Sequence, residues 1–183
     1  MISITNFLEN KLKLRVNRGK SSVSRPWKRK FLGYTITTNK KPLLKPSPES
    51  IRRAKVRIRQ ITRSGRGRNI LRVITEVNLF IRGWFGYYRS SNVKQVFDHL
   101  DQWIRRRLRK ILWKQWKTPK NRVKKPVSYG IEPERAKRAT SSGRGAWWHA
   151  GSSHMHAAIT NQRLSDWGLL SLLEMRRRLI RDV

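Results

Sequence analysis

The sequence contains no cysteine, and this absence restricts its chemistry. The chain forms neither disulfide bonds nor zinc sites of the cysteine-containing finger type. Its 183 residues are nevertheless enough to bury a hydrophobic core without such cross-links. A reducing compartment is consistent with this composition.

Long hydrophobic runs are also missing. No apolar run approaches the roughly 18 residues that a membrane span requires. The N-terminal stretch MISITNFLENKLKLRVN lacks the basic start and the continuous apolar centre of a signal peptide. We therefore expect a cytoplasmic protein that has no membrane partner.

Acidic residues are scarce, with 10 Asp and Glu against 44 Lys and Arg, and the formal net charge is +34. Self-repulsion of this size destabilises a compact state, so the expected partner is a polyanion that neutralises it. A merely solvated surface would normally mix both signs of charge. The composition therefore predicts a nucleic-acid-binding protein.

The few acidic residues are scattered along the chain. A nuclease or polymerase that uses two metal ions needs carboxylates that converge on those ions. Asp98 and Asp101 lie three residues apart on a predicted helix, and Glu132 and Glu134 flank a proline. We interpret both pairs as charge compensation beside arginines.

Three histidines, His149, His154 and His156, lie close together in WWHAGSSHMHAA. Neither cysteine nor an acidic residue accompanies them, so we interpret the segment as a loop in which histidine donates to phosphate or packs on tryptophan. The sequence thus predicts no catalytic residue, no metal site and no cofactor.

The chain changes character near residue 46. Before that point a short helical stripe is followed by two strand-like runs, at residues 12–16 and 31–37. Such a small sheet is unstable alone, which indicates part of a larger domain. After it, the apolar spacing predicts three helices, of which the first ends at the break SGRGR and the others cover residues 69–88 and 93–117. We expect a linker over residues 118–145, with one helical turn around Glu132 to Thr140, and a last helix near residues 169–180.

The third predicted helix has two distinct faces. Its core face on a helical wheel consists of Phe97, Leu100, Ile104, Leu108, Ile111 and Leu112. Trp103 and Trp113 fall in the opposite arc, among the cations Arg106, Arg107, Lys110, Lys114 and Lys117. Exposed indoles between cations favour RNA with accessible bases. The alternative is that another part of the chain covers both rings and that cation–π contacts explain the mixture.

Several motifs resemble group II intron-encoded reverse transcriptases, which are also maturases. KLKLRVNRGKSSVSRPWKRKFLGYTIT resembles the end of their palm. NLFIRGWFGYYR, followed by FDHLDQWIRRRLRKILWKQWK, resembles their maturase-specific domain, also called domain X, which forms the polymerase thumb. GRGAWWHAGSSHMHAAITNQRLSDWGLLSLLE resembles the C-terminal segment of bacterial members that lack an HNH endonuclease.

The resemblance implies a mainly α fold, in which a three-helix thumb-like bundle follows a small α+β remnant of a palm. The implied domains are the palm remnant at residues 1–45, the thumb or maturase-specific domain at 46–118, and a basic linker with a C-terminal helical segment at 119–183. Lys20 and the FLGY element at residues 31–34 correspond to late palm motifs near the primer. The resemblance, the helical wheel and the GRGAWW stretch together predict the following RNA-binding residues: Lys20, Trp103, Arg105, Arg106, Arg107, Arg109, Lys110, Trp113, Lys114, Lys117, Arg144 and Trp147.

The sequence departs from the family because the fingers and the YADD-type catalytic motif do not occur in it. We therefore expect a non-enzymatic maturase fragment that binds structured group II intron RNA and assists its folding and splicing. DNA or an RNA–DNA duplex is an alternative ligand. Two alternative functions are the thumb of a split RNA-directed DNA polymerase, joined to a separately encoded fingers and palm fragment, and an inert remnant of that enzyme.

Overall fold

Ten α-helices and one two-stranded antiparallel sheet make up the computed structural model of this chain, which describes residues 2–63 and 67–181. The predicted fold class, mainly helical with a small N-terminal sheet, is confirmed. The first four helices are α1 Ile2–Asn6, α2 Pro48–Arg63, α3 Ile70–Tyr88 and α4 Lys94–Gln115. The six that follow are α5 Pro119–Ser128, α6 Pro133–Ser141, α7 Ala146–His149, α8 Ser153–Ala158, α9 Asn161–Asp166 and α10 Leu172–Arg181. Residues 64–66, within the predicted SGRGR break, lie outside the described residues.

The N-terminal sheet is smaller than the sequence predicted. Strand β1, Tyr34–Ile36, pairs antiparallel with β2, Leu44–Pro46, so that Tyr34 faces Pro46. The strand expected at residues 12–16 is wrong, because this stretch forms neither helix nor strand. A π-helical turn, Phe7–Lys11, continues α1 and ends just before this stretch.

The FLGY element at residues 31–34 anchors this section to the end of α3. The Tyr34 hydroxyl donates to the carbonyl of Tyr87 at 2.5 Å, and the Tyr87 hydroxyl donates to the carbonyl of Leu32 at 2.9 Å. Gly33 has a φ of +76°, and a Cβ there would lie 2.4 Å from the Tyr88 hydroxyl oxygen. Glycine is therefore required at this turn both by its backbone conformation and by the space available.

Helices α2, α3 and α4 pack around an apolar core, as the predicted periodicities require. Asn69 caps α3 by accepting a hydrogen bond from the backbone N–H of Leu71 at 2.8 Å. All six residues of the predicted core face of α4 are buried, and Leu108 at its centre is 0% exposed. Further buried members of the core are Ile58, Val73, Ile74, Val77, Ile81 and Phe85.

The segment after α4 is helical. The helical turn expected around Glu132 to Thr140 is present as α6, whereas the rest of the linker expected at residues 118–145 is wrong where it forms α5. Thr118 caps α5 through its side chain, and Pro119 occupies the first turn of that helix. Pro133 likewise lies in the first turn of α6. Proline at the start of a helix needs no backbone donor, so these prolines begin helices and do not interrupt them. The helices of this segment share the core of α4 through Ile131, Met155, Ile159, Leu164 and Leu172.

Asp101 of α4 ties the last helix to the bundle. Its carboxylate accepts hydrogen bonds from the backbone N–H groups of Leu172 and Leu173, at 3.0 and 3.1 Å, and from the Ser171 hydroxyl at 2.6 Å. These donors lie at the N-terminus of α10, where a negative charge is favoured. Burial raises the pKa of Asp101 despite these bonds. Charge compensation by arginine, the interpretation made from the sequence, therefore misses the main partners of this carboxylate.

Candidate nucleic-acid interface

A basic cleft runs between α2 and α4, which we call the α2–α4 cleft. It has a volume of about 610 Å³. Its lining consists of Val56, Arg59, Gln60, Thr62, Arg63, Arg107, Lys110, Ile111 and Lys114. Five of these nine residues are cations, and no described residue of the lining is acidic. The described ion pairs bring their carboxylates, Glu49, Glu76, Glu134 and Glu174, to cations outside this cleft.

Trp103 lies next to the cleft and is surrounded by positive charge. The Arg59 and Arg107 guanidinium carbons are each 5.5 Å from the centre of its ring, and the Lys55 ammonium is 5.7 Å away. The ring is half-buried. Cation–π contacts of this length hold the three cations around the indole. Cation–π contacts, the alternative that the sequence left open, are therefore present at Trp103. Its ring is also partly exposed.

Arg107 forms one wall of the cleft and is fixed in position. Its Nε and one terminal nitrogen donate to the Thr62 hydroxyl at 3.0 and 2.6 Å. Burial lowers the pKa of Arg107, and the nearby charge of Arg59 lowers it further. The fold therefore holds two guanidinium groups close together at an electrostatic cost, which a bound anion would relieve.

Trp113 is buried, so its predicted exposure is wrong. It is 2% exposed, and its ring stacks on the imidazole of His149 with 3.9 Å between the ring centres. The C-terminal helices cover it, which is the alternative that the helical wheel left open. His149 thus packs on tryptophan, as one reading of the histidine segment expected, although it lies at the end of a helix. Trp113 is not available to a nucleobase in this structure.

Arg109 is also buried, at 2% exposure, and is bonded within the fold. It donates to the carbonyl of Ile159 at 2.8 Å and to the Asn161 side-chain oxygen at 2.9 Å. Burial and the neighbouring Arg105 lower the pKa of Arg109 to about 10. The expectation that Arg109 lies on an open RNA-binding face is corrected: this residue joins α4 to the turn between α8 and α9.

A second basic cleft continues from the first at Lys114, and we call it the α4–α5 cleft. It has a volume of about 550 Å³ and is lined by Gly67, Trp113, Lys114, Gln115, Lys117, Arg122, Arg144, Gly145 and Ala146. Two predicted residues from distant parts of the chain, Lys117 and Arg144, meet here. Arg144 also lies 4.3 Å from the ring centre of Trp148, which is 42% exposed.

Arg106 and Trp147 form a contact between α4 and α7. The Arg106 guanidinium lies 4.3 Å from the ring centre of Trp147 and donates to its carbonyl at 3.0 and 3.3 Å. The Lys110 ammonium lies 5.9 Å from the same ring. Trp147 is 37% exposed, so the ring retains an accessible side. The predicted residues Arg106, Lys110 and Trp147 are therefore neighbours in the fold.

Lys20 lies apart from the other predicted residues. It is exposed in a turn of the N-terminal section, where its backbone N–H donates to Asn17 at 3.1 Å. It lines neither basic cleft.

The predicted RNA-binding residues did not include the cations of α2 and α5. Arg59 and Arg63 supply two of the five cations of the α2–α4 cleft, and Arg122 contributes to the α4–α5 cleft. A wheel of α2 would have placed Arg59 and Arg63 together, four residues apart and away from its buried residues. Their meeting with α4 depends on tertiary packing and has no local signal.

No three His, Cys, Asp or Glu side chains within residues 2–63 and 67–181 come close enough to hold a metal ion. No helix in the same range is both long enough and apolar enough to cross a bilayer.

The comparison with protein families finds one match. Residues 51–130 match the family described as "Group II intron, maturase-specific domain". No curated protein sequence matches the chain. The match covers most of α2, the whole of α3, α4 and α5, and every residue that lines the α2–α4 cleft. It also contains the GWFGYY and LDQWIRRRLRKILWKQWK motifs on which the resemblance rested. Residues 51–130 of this chain are therefore a group II intron maturase-specific domain.

Proposed function

We propose that this protein binds structured RNA through the α2–α4 cleft and assists group II intron RNA in reaching its splicing-active fold. The observation that carries the proposal is the clustering of five cations in one cleft of the maturase-specific domain. A net charge of +34 adds a general attraction to any polyanion. The cleft adds a place where that attraction is concentrated.

The arrangement around Trp103 supports RNA over a simple anion. An aromatic ring beside cations can stack on an unpaired base while the cations contact the flanking phosphates. Arg59 of α2 and Arg107 of α4 both lie beside the Trp103 ring, and both residues line the cleft. Loops and bulges of a folded RNA present such unpaired bases.

The family supports intron RNA as the partner. Every cleft residue lies within residues 51–130, which match the maturase-specific domain. The α4–α5 cleft extends the basic surface through Lys117 and Arg122. Arg106 and Lys110 of α4 contact the ring of Trp147 in α7, and Lys110 also lines the α2–α4 cleft. RNA contact by Arg105, Arg144 and Lys20 remains part of this proposal.

A test of the proposal removes two cleft cations that have no described hydrogen bond to the rest of the fold. We expect Arg59→Gln with Lys114→Gln to weaken binding to a group II intron RNA roughly tenfold at moderate salt. The slope of log K against log salt should become less steep by about 1.5, because each phosphate contact contributes about 0.7 to 0.9. Filter binding across a salt series measures both quantities.

The control is Arg178→Gln with Arg181→Gln, which removes the same charge from exposed positions of α10 that line neither cleft. The control should change affinity by less than about threefold. Equal losses in both double variants would refute the cleft as the binding surface.

A second candidate function is the thumb of a polymerase assembled from two chains. The observation in its favour is the apolar surface of the N-terminal section, where Ile2, Phe31 and Leu32 are 80%, 79% and 67% exposed. A separately encoded fingers and palm fragment would cover such a surface. Primer extension by the two folded fragments together tests this function, and inactivity of that mixture would contradict it.

A further inference from the structure

A third pocket lies on another side of α4, between that helix and the C-terminal helices α8 and α9, and we call it the α4–α8 pocket. Its volume is about 480 Å³. It is lined by Asp98, Gln102, Arg105, Arg106, Arg109, Gly151, His156 and Asn161. None of these residues lines the α2–α4 cleft or the α4–α5 cleft, and three of them lie beyond residue 130.

Positive charge converges in this pocket from two elements. Arg105, Arg106 and Arg109 come from just over one turn of α4, and His156 faces them from α8. The only carboxylate in the described lining is Asp98, which lies two turns before Arg105 and accepts a hydrogen bond from Gln102 at 2.9 Å. Three guanidinium groups and an imidazole thus share a pocket with one engaged carboxylate.

Arg109 shows that this charge is not balanced within the fold. Its guanidinium is buried, and the partners described above are the neutral oxygens of Ile159 and Asn161. A buried cation without a nearby anion is costly, and its lowered pKa reflects that cost. An anion bound in the pocket would supply the missing negative charge.

Arg106 is held in place beside the same pocket. Its guanidinium donates to the carbonyl of Trp147, and it packs directly on the backbone of Gly151. A Cβ at residue 151 would lie 2.7 to 2.9 Å from three guanidinium atoms of Arg106. Glycine at this position therefore leaves the space that the Arg106 guanidinium occupies beside the turn before α8. These contacts fix the position of Arg106 on this side of the pocket.

Arg105 and His156 are the groups available to a ligand. Within the described residues, Arg105 is half-buried and forms no described hydrogen bond or ion pair, and the carboxylate whose charge it interacts with is that of Asp101. His156 is exposed at the pocket mouth. Both side chains carry N–H groups that can donate hydrogen bonds to an oxyanion.

We propose that the α4–α8 pocket is a binding site for a phosphate group of a nucleic-acid strand, contacted by Arg105 and His156 and stabilised by the fixed charges of Arg106 and Arg109. Donors arriving from several directions suit the tetrahedral arrangement of phosphate oxygens, and guanidinium groups pair with phosphate through two parallel hydrogen bonds. The site is separate from the proposed α2–α4 cleft. It gives the C-terminal segment, outside the matched domain, a direct part in ligand binding.

The titration of His156 gives a specific readout of occupancy. Partial burial of the ring, followed by the charges of Arg109, Arg106 and Arg105, lowers the pKa of His156. The charged or titratable groups around it are those three arginines and Asp98 on α4, and His154 on its own helix. A bound phosphate adds negative charge beside the ring and therefore raises its pKa by about 1.

The experiment follows the His156 ring proton by NMR as pH is varied, with and without inorganic phosphate at constant ionic strength in chloride. His156→Gln assigns the signal. We expect a saturable rise in the pKa of His156 with phosphate in the unmodified protein. Arg105→Gln should weaken phosphate binding about fivefold or more, because a charge-assisted hydrogen bond is lost.

The matched control is Lys114→Gln, which removes one charge from the two basic clefts and leaves the α4–α8 pocket intact. It should leave phosphate binding at His156 within a factor of about two. An unchanged His156 pKa with phosphate, or equal losses in the Arg105 and Lys114 variants, would overturn the proposal. Loss of RNA binding in Lys114→Gln alone concerns only the function proposed above, so the two can fail separately.

Oligonucleotides then identify the source of the phosphate. A single strand carrying a 5′-phosphate is compared with the same strand carrying a 5′-hydroxyl, each with unmodified protein and with Arg105→Gln. Tighter binding of the phosphorylated strand that Arg105→Gln abolishes assigns the site to a strand end. Equal binding of both strands that the variant weakens assigns it to an internal phosphodiester. If Arg105→Gln changes the affinity for neither strand, the pocket does not bind a phosphate of a nucleic-acid strand. The proposal is then refuted, even if inorganic phosphate binds there.

Discussion

Asp101 connects two parts of the chain that lie 70 residues apart. Its carboxylate receives three hydrogen bonds from the start of α10, and it is 3% exposed. Removal of the carboxylate leaves those donors unsatisfied in a buried position. The residue therefore acts as a remote cap for the last helix.

We predict that Asp101→Ala lowers the free energy of unfolding by about 2 to 3 kcal/mol, the cost of leaving buried donors without partners. Asp98→Ala is the matched control, because it makes the same change one turn earlier on a side chain whose described partner is Gln102. It should cost less than about 0.5 kcal/mol. Urea denaturation of the two variants measures the difference. Similar values for both would contradict the capping role.

Trp103 and Trp113 show what can be predicted at the scale of single residues. The wheel of α4 correctly placed Leu100, Ile104 and Leu108 in the core, because their period matches the helix. The same wheel placed both tryptophans on one exposed arc. Trp113 is buried because the C-terminal helices cover its side of α4, and a local period contains no information about such a distant segment.

At the scale of elements, the C-terminal helices depend on a pair of neutral histidines. His149 stacks on Trp113, and a hydrogen bond of 2.9 Å joins Nδ1 of His154 and the hydroxyl oxygen of Ser152. Burial lowers the pKa of both rings, and His149 lowers that of His154 further, to about 4. Both rings are therefore neutral in the folded protein near neutral pH.

Acid should destabilise this part of the fold. The unfolded chain takes up a proton on His154 as pH falls through 6.5, whereas the folded chain does so only near pH 4. Stability is therefore lost progressively between pH 6.5 and 4, by at most about 3 kcal/mol for this residue. Thermal unfolding at pH 7.5 and pH 5 measures the loss.

His154→Gln should reduce this pH dependence, and His99→Gln, a change at an exposed histidine of α4, should retain it. A pH dependence that is the same in both variants would exclude His154 as its source.

Helices that have both a clear apolar period and a recognisable cap were the most predictable. The predicted helix at residues 69–88 begins and ends within one residue of α3, because Asn69 is a recognisable cap. Residues 118–145 were expected to be a linker with one helical turn around Glu132 to Thr140, because of their prolines and lysines. That turn is α6, but α5, which begins at Pro119, was not predicted, because the surface that makes it stable is on other elements.

At the scale of the whole molecule, the dominant property is the excess of positive charge. Ten acids cannot balance 44 basic residues, and the fold concentrates several of the unbalanced ones in the α2–α4 cleft. General attraction of this kind is strongly weakened by salt, whereas contacts to bases and to RNA shape are less so. Salt dependence therefore separates a specific partner from any polyanion.

The most direct test of the account is filter binding of the protein to a group II intron RNA from the same genome. An unrelated structured RNA of equal length is measured beside it across a salt series. We predict that both affinities fall as salt rises and that the preference for the intron RNA persists at high salt. Equal affinities that disappear together would contradict specific recognition of intron RNA and leave only the attraction of charge.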